Sequence, residues 1–306
     1  MKILFISLIF LYSIFREHSS ASDAQRSAKI ATYLKDVFPE LYSNQHEGDI
    51  FLFGESKSSI KNAVRDPTYR WPNATVPYEI ASNFTEEDKT KILTGMARLQ
   101  NETCIRFVPH YGQKHYIFIN NKQNAGCFAV IGYHSKAEIP HPVNFETPGC
   151  MKHQGTVEHE FLHILGLFHE QSRYDRDDHV IIYWGNITEE YVSNFAKVPE
   201  TDAHAYNVSY DINSVMHYPK HAFSKNGNET IVYKKNPDTK LGQRVGATQG
   251  DLEKIRQMYN CHKKEVPYGS AEWFFEQVQT FFADKNRKPQ SKKTKEKTKF
   301  KKFPLF

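Results

Sequence analysis

The chain has 306 residues, 39% of them apolar and 14% aromatic, which is enough to build a packed core and excludes a disordered chain. Its formal charge of +5 hides an asymmetry, because residues 285–302 carry ten Lys or Arg against one acid, Glu296, and the remainder is net acidic. Four cysteines exclude a string of small disulfide-rich modules, and nucleic acid is not an expected partner.

Residues 1–21 place Lys2 before an apolar run from Ile3 to Phe15 and end in Ser19-Ser20-Ala21. This is the layout of a secretory signal peptide, and the run is short for a membrane span. A secreted, extracellular protein is expected. Six Asn-x-Ser/Thr acceptor sites agree with that compartment: Asn73, Asn83, Asn101, Asn186, Asn207 and Asn228. Residues 22–61 are polar and hold no cysteine or acceptor site, whereas residues 62–261 hold all of them. The division predicts a short pro-segment, 22–61, followed by one domain, 62–261. In an oxidising compartment Cys104, Cys127, Cys150 and Cys261 should form two disulfides, with three connectivities open on spacing alone.

Within the domain, Val76–Ile80 reads as a strand. Thr85–Leu99 reads as a helix, capped by Thr85 with Asp88 and carrying Ile92, Leu93, Met96 and Leu99 on one face. Cys104–Val108 and His115–Asn120 read as strands, and Thr248–Tyr259 as a helix capped by Thr248 with Asp251. Strands with one helix come first and helices dominate later, which predicts a mixed α/β or α+β domain. Trp71 and Trp184 are expected in its core. The tail, 262–306, departs in character: Phe274, Val278, Phe281 and Phe282 share one helical face, and the lysine-rich run follows. A helix docked on the domain with a solvated charge run is one reading. Attachment to an anionic matrix or membrane surface is the other.

The chemistry concentrates in residues 159–173, HEFLHILGLFHEQSR. On a helix each residue turns 100°, so His159 and His163 stand one above the other and their imidazoles can grip one metal ion. Glu160 lies beside them, free to act as a base. His169, six residues on, would face away on a continuous helix. The helix must therefore end between them, and Gly166 is the residue able to take the left-handed conformation that reverses the chain. Three imidazoles that leave one position open make a catalytic zinc site, with one Zn2+ per chain. The full His-Glu-x-x-His-x-x-Gly-x-x-His spacing, with Met216 following in Ser214-Val215-Met216-His217-Tyr218, is the metzincin signature.

Within that clan the run HEFLHILGLFHEQSRYDRDDHVIIYWGNI resembles the astacin family of secreted zinc endopeptidases, and SVMHY resembles the family's Met-turn. The resemblance covers roughly residues 62–261. It implies a two-lobed α+β protease domain with a mixed sheet in the N-terminal lobe and the zinc helix at the floor of the cleft. It further implies His159, His163 and His169 as zinc ligands, Glu160 as the residue that polarises the attacking water, and Tyr218 as a switchable fifth ligand that stabilises the oxyanion. Met216 would form an apolar base under the site. Glu170 would receive the buried mature N-terminus after cleavage near Lys61–Asn62. The implied disulfides are Cys104 with Cys261 and Cys127 with Cys150. His46-Glu47-Gly48-Asp49 resembles the family's pro-segment motif with His in place of Phe, which makes Asp49 the candidate latency switch; Leu52-Phe53-Gly54-Glu55 is a poorer match.

The chain departs from the family after the cleft's edge strand, Phe128–Gly132, where the usual Gly-Gly-x-Gln segment is replaced. Subsite preference is not legible there. Lys234, Lys235 and Lys240 lie in the segment expected to shape the pocket beyond the scissile bond and would favour acidic side chains if they face it. Arg173, Asp175, Arg176 and Asp177 are expected to pair as ions, and His134, His141 and His217 to be surface or hydrogen-bonded residues without metal. The expected function is hydrolysis of extracellular proteins or peptides by an enzyme made as a zymogen. A secreted zinc-binding adhesion module that retains the fold is the alternative.

Overall fold

The structure is a computed structural model and describes residues 24–53, 65–138 and 140–261. The expected signal peptide, the Lys61–Asn62 bond, Gly54-Glu55 and the 262–306 tail lie outside the described residues.

A six-stranded sheet occupies the first half of the domain. Its strands are β1 (Ile50–Phe51), β2 (Thr75–Ile80), β3 (Arg106–Pro109), β4 (Ile117–Asn120), β5 (Cys127–Val130) and β6 (His141–Phe145), in the order β1-β5-β6-β4-β2-β3. All neighbours run parallel except β5 and β6. Val76, Ile117, Ile119, Val143 and Phe145 bury one side of the sheet against two helices, α2 (Glu86–Glu102) and α3 (Gln154–Ile164). The first described helix, α1, covers residues 24–37.

The helix α2 starts where Thr85 and Asp88 cap each other's backbone amides, as the sequence predicts. Ile92, Met96 and Leu99 are buried, but Leu93 is 44% exposed and faces solvent. An ion pair fastens α2 to the buried helix: Arg98 donates to Glu158 at 2.6 Å, and Glu158 also accepts from the amide of Ala247.

The second half carries less helix than the sequence suggests. Short 3-10 turns and a two-stranded ribbon, β7 (Val180–Ile182) with β8 (Ile231–Tyr233), precede α4 (Gln249–Met258), which the predicted Thr248–Asp251 box caps. The turns gather a second apolar cluster from Val180, Ile187, Phe195, Tyr218 and Ile231, completed by Leu34, Phe38 and Leu41 of the expected pro-segment. Trp71 is buried as expected. Trp184 is not: it is 49% exposed, with the Arg176 guanidinium 5.8 Å from its ring. Disulfides join Cys104 to Cys261 and Cys127 to Cys150, tying the end of α2 to the end of α4 and β5 to the turn before α3. Loops of these lengths give about 3–5 kcal/mol each in the chain-entropy picture.

Candidate metal centre

Every residue of α3 after Gln154 is buried, and the helix ends on a device that sets the whole site. Gly166 takes φ +107°, its amide returning to the carbonyl of His163 at 2.8 Å and that of Leu167 to Leu162 at 2.9 Å. The last carbonyls of α3 are also claimed from outside. Gly132 N–H donates to His163, the Trp71 indole to Ile164 and the Tyr259 hydroxyl to Leu165. Three separate segments thus fix the helix terminus, as its unpaired carbonyls require.

His159 and His163 stand one turn apart with ring centroids 4.7 Å apart and planes nearly perpendicular, and the reversed chain returns His169 to 5.4 and 4.8 Å from them. The fourth member of the cluster is Asp49, whose Oδ2 lies 3.0 Å from His159 Nε2 while Oδ1 lies 3.3 and 3.6 Å from Nε2 of His169 and His163. One donor atom from each of the four lies within 4.8 Å of the others, and all four residues are buried. Each imidazole is oriented through its other nitrogen: Nδ1 of His159 on the Val215 carbonyl at 2.8 Å, of His163 on that of Leu167 at 2.7 Å, and of His169 on Glu47 Oε2 at 2.7 Å. That assignment turns the Nε2 lone pairs toward a common point. His163 Nε2, Asp49 Oδ1 and both oxygens of Glu160 are buried without a hydrogen-bond partner. A buried carboxylate left so costs several kcal/mol. Zinc fits this donor set, since three imidazoles and a carboxylate oxygen are ligands it accepts in tetrahedral geometry.

Glu160 is fully buried beside the cluster. Burial first, then the charges of Asp49 and Glu40, push its carboxyl well above the ordinary range; a divalent cation among the imidazoles acts in the opposite sense. Met216 is buried in the apolar core with Leu162 and Val215, and its carbonyl accepts from the amide of Glu170 at 2.9 Å. The Met-turn is held from α4. Asp251 accepts from the Ser214 hydroxyl and from the Val215 amide at 3.1 Å, so the carbonyl that orients His159 is itself anchored.

Tyr218 is buried at 4.7 Å, ring to ring, from His169, and its hydroxyl donates to the backbone carbonyl of Glu47. Gln171 Oε1 accepts its amide at 3.0 Å, and His217 Nδ1 donates to its carbonyl at 2.7 Å. The other nitrogen of His217 accepts from Tyr210 at 2.8 Å, an arrangement that needs a neutral ring, and burial lowers this histidine to about 4. His134 and His141 are likewise hydrogen-bonded, the His134 amide donating to His141 Nε2 at 2.8 Å, and none of these three joins the metal cluster.

The expected pro-segment enters the site as a tight turn. Glu47 and Gly48 take φ +49° and +92°, and a Cβ on Gly48 would sit 3.2 Å from the Leu41 Cα, so glycine is required there. β1 then pairs with the edge strand β5, the Ala129 amide donating to the Asp49 carbonyl at 3.0 Å. Two contacts of this segment were not legible in the sequence. Glu47 accepts from His169 and, at 3.1 Å, from Ser172, and nothing but its place before Gly48-Asp49 signals it. Arg244 is 4% exposed and forms a buried pair with Glu40 while donating to the Val215 carbonyl at 2.8 Å. A lone arginine 204 positions from its carboxylate partner has no spacing signal. Lys234, Lys235 and Lys240 are exposed, Lys234 donating to the carbonyl of Asp177.

Glu170 is buried, its Oε2 paired with Lys254 and its Oε1 with Arg173 at 3.2 Å and the Asp211 amide at 2.9 Å. Burial raises its carboxyl, but Lys254 and Arg173 outweigh that and hold it below the ordinary range. Arg173 also grips Asp175, and Arg176 pairs with Asp177, as the sequence predicts. Of the six acceptor asparagines five are exposed; Asn186 is half-buried, its side-chain amide donating to the Glu229 carbonyl.

Comparison with known proteins agrees with this geometry. The family model described as Astacin, a peptidase family, matches residues 63–260. Zinc metalloproteinase nas-4 of Caenorhabditis elegans is 34% identical over 71% of this chain and 70% of its own, and the low choriolytic enzyme of Oryzias latipes is 33% identical over 70% and 78%. Human meprin A subunit beta is 37% identical over 74% of this chain but only 31% of its own length. Among solved structures, high choriolytic enzyme 1 of Oryzias latipes, a hatching enzyme zinc-protease, superposes with a TM-score of 0.57 at 32% identity, over 69% of this chain and 100% of that one.

Proposed function

The chain belongs to the astacin family and is a zinc metalloendopeptidase, and from that footing we propose that it is secreted as a zymogen in which Asp49 holds the catalytic centre closed. Its substrates are proteins or peptides. A signal peptide over 1–21, a pro-segment over 22–61, trimming near Lys61–Asn62 and glycans on the exposed acceptor asparagines complete the reading.

His159, His163 and His169 would hold the zinc, which when bound supplies Lewis acidity toward a carbonyl and acidifies water. The residues around it do the rest. Glu160 takes the proton of the attacking water and returns it to the departing amine nitrogen. A carboxylate placed beside the ion can serve as base and then as acid. Tyr218 donates its hydroxyl to the oxyanion once the Glu47 carbonyl has left it. Met216 and the Asp251 anchor keep the floor of the site rigid.

The observation that carries the zymogen reading is the Asp49 carboxylate among three imidazoles. It supports a precursor whose fourth ligand position is taken by its own chain. The test is a peptidase assay on the purified full-length protein before and after trimming, with and without a chelator. Activity that appears on trimming and vanishes on chelation is expected; activity of the uncut chain equal to that of the trimmed one would overturn the zymogen reading.

A further inference from the structure

The loop after β5, where the chain departs from its family, folds into a cluster of rings. Tyr69 stands edge-on to His134 at 5.2 Å, Trp71 lies 4.9 Å from His141, and Tyr133 stacks on His141 at 5.7 Å. Bonds within residues 65–261 hold that wall. The His134 amide donates to His141 Nε2 at 2.8 Å, the Tyr133 amide to the Tyr69 carbonyl at 2.8 Å, and the Trp71 indole to the Ile164 carbonyl at the end of α3. None of these bonds involves the expected pro-segment. A ring from outside the wall lies against it: Phe53 is edge-on to His134 at 4.9 Å and to His141 at 5.7 Å. A cavity of about 280 Å³, lined by Phe53, Tyr69 and residues 133–137 among others, continues the slot, so there is room beyond a phenyl ring. The exposed Asp66 and Lys136 complete the lining with one charge of each sign, which leaves the rings to select what enters.

We propose that the slot between Tyr69, His134 and His141 is a subsite of the peptidase, taking an aromatic side chain of the substrate about three to five residues from the bond that is cut. Its place along β5 carries the assignment. The Ala129 amide donates to the Asp49 carbonyl beside the metal cluster, and the chain from Asp49 runs parallel to β5 and reaches the slot at Phe53, about 13 Å on at the rise of an extended strand. On the zymogen reading, on which the inference rests, β1 leaves and β5 becomes an open edge that an extended peptide can pair with. A peptide so paired, with its scissile bond at the metal centre, lays side chains along the same line. Edges and faces of rings attract one another beyond the area they bury, which favours an aromatic residue in the slot over an aliphatic one.

The full-length protein, trimmed as in the assay above, is tested on quenched peptides in which Phe, Trp, Leu or Ala occupies in turn each position three to five residues before and after the cleaved bond. At one such position, on one side of the bond, kcat/KM with Phe or Trp should exceed that with Ala by about tenfold or more and that with Leu by about two- to tenfold, chiefly through KM. His134→Ala should cut the ratio of Phe to Ala to about threefold or less. The same ranking should appear when the peptides bind trimmed Glu160→Gln, read by fluorescence anisotropy. A spread of less than about twofold among the four residues at every position overturns the inference, and this arm needs no variant. An aromatic preference that His134→Ala leaves intact overturns it too. If no form cleaves peptide while the ranking in binding holds, the peptidase reading fails and the slot stands. If the uncut chain is as active as the trimmed one, the zymogen reading fails and the peptide ranking still decides the slot.

Discussion

Replacing Asp49 by Asn in the uncut precursor separates the carboxylate from the rest of the pro-segment. The side chain keeps its shape and loses its charge, while Leu34, Phe38 and Leu41 still cover the second cluster and β1 still pairs with β5. The lost contact is that of the carboxylate with the ion the imidazoles would hold, its oxygens lying 3.0 Å from His159 Nε2 and 3.3 Å from His169 Nε2. Taken as two charged contacts of about 1.5–3 kcal/mol each, it comes to about 3–6 kcal/mol, or about 10²–10⁴ in the ratio of open to closed precursor. Residual activity of the precursor should rise by a similar factor, up to the ceiling set by the trimmed enzyme. The assay follows a quenched peptide with Lys61→Gln in the background to block trimming, and gel analysis confirms that the chain stays intact. Affinity for zinc, read by competition with a chromogenic chelator, should fall as a fourth ligand is lost. Activity no higher than that of the wild-type precursor, with zinc affinity unchanged, would refute the reasoning.

Glu160→Gln should cost about 10²–10⁴ in kcat of the trimmed enzyme with zinc content unchanged by atomic absorption; retained activity would remove Glu160 from the role of base. Chelation should abolish hydrolysis and lower Tm, because a ligand that binds only the folded state stabilises it; an unchanged Tm would argue against a metal held by three buried imidazoles. His141, buried and accepting from the His134 amide, is lowered by burial to about 3. Its folded value lies below the unfolded one near 6.5, so its contribution is fully present above that pH and is lost as pH falls toward 3. At pH 5 the loss is about 2 kcal/mol. Denaturant titrations at pH 7 and 5 should show the wild type losing about that much more than His141→Gln; parallel losses would contradict the assignment.

The zinc helix, its glycine stop and both helix caps were legible because each follows from local spacing: a 100° turn, a residue able to take φ near +100°, a hydroxyl three residues before an acid. What escaped lies in contacts between distant segments. Leu93 belongs to the apolar stripe of α2 by periodicity, yet faces water because α3 and the sheet cover only part of that stripe. Trp184 is large and apolar, but it stands on a 3-10 turn where Arg176 and Phe195 reach only part of its ring. Arg244 and Glu40 meet across 204 positions of chain. No window of sequence contains both. Helices are expected to dominate the later half, whereas side-chain bonds to single carbonyls, such as Asn186 to Glu229 and Thr230 to Ala222, hold much of it in turns.

The two ends of the zinc segment are held by different parts of the chain, and that division bears on how activation works. His159 is oriented by Val215, His163 by Leu167, and the Met-turn by Asp251, all within residues 62–261. Asp49 faces all three imidazoles, but of their outer nitrogens only that of His169 takes a partner from the expected pro-segment, Glu47, whose carbonyl also holds Tyr218. On the zymogen reading, removal of that segment takes Asp49 from the cluster, leaves the outer bonds of His159 and His163 in place and alters the environment of His169 and Tyr218. Glu170, paired with Lys254 and Arg173, holds the turn after His169 through contacts within residues 62–261. On the zymogen reading activation is then an uncovering, in which the outer bonds to be remade are those of one imidazole and one phenol.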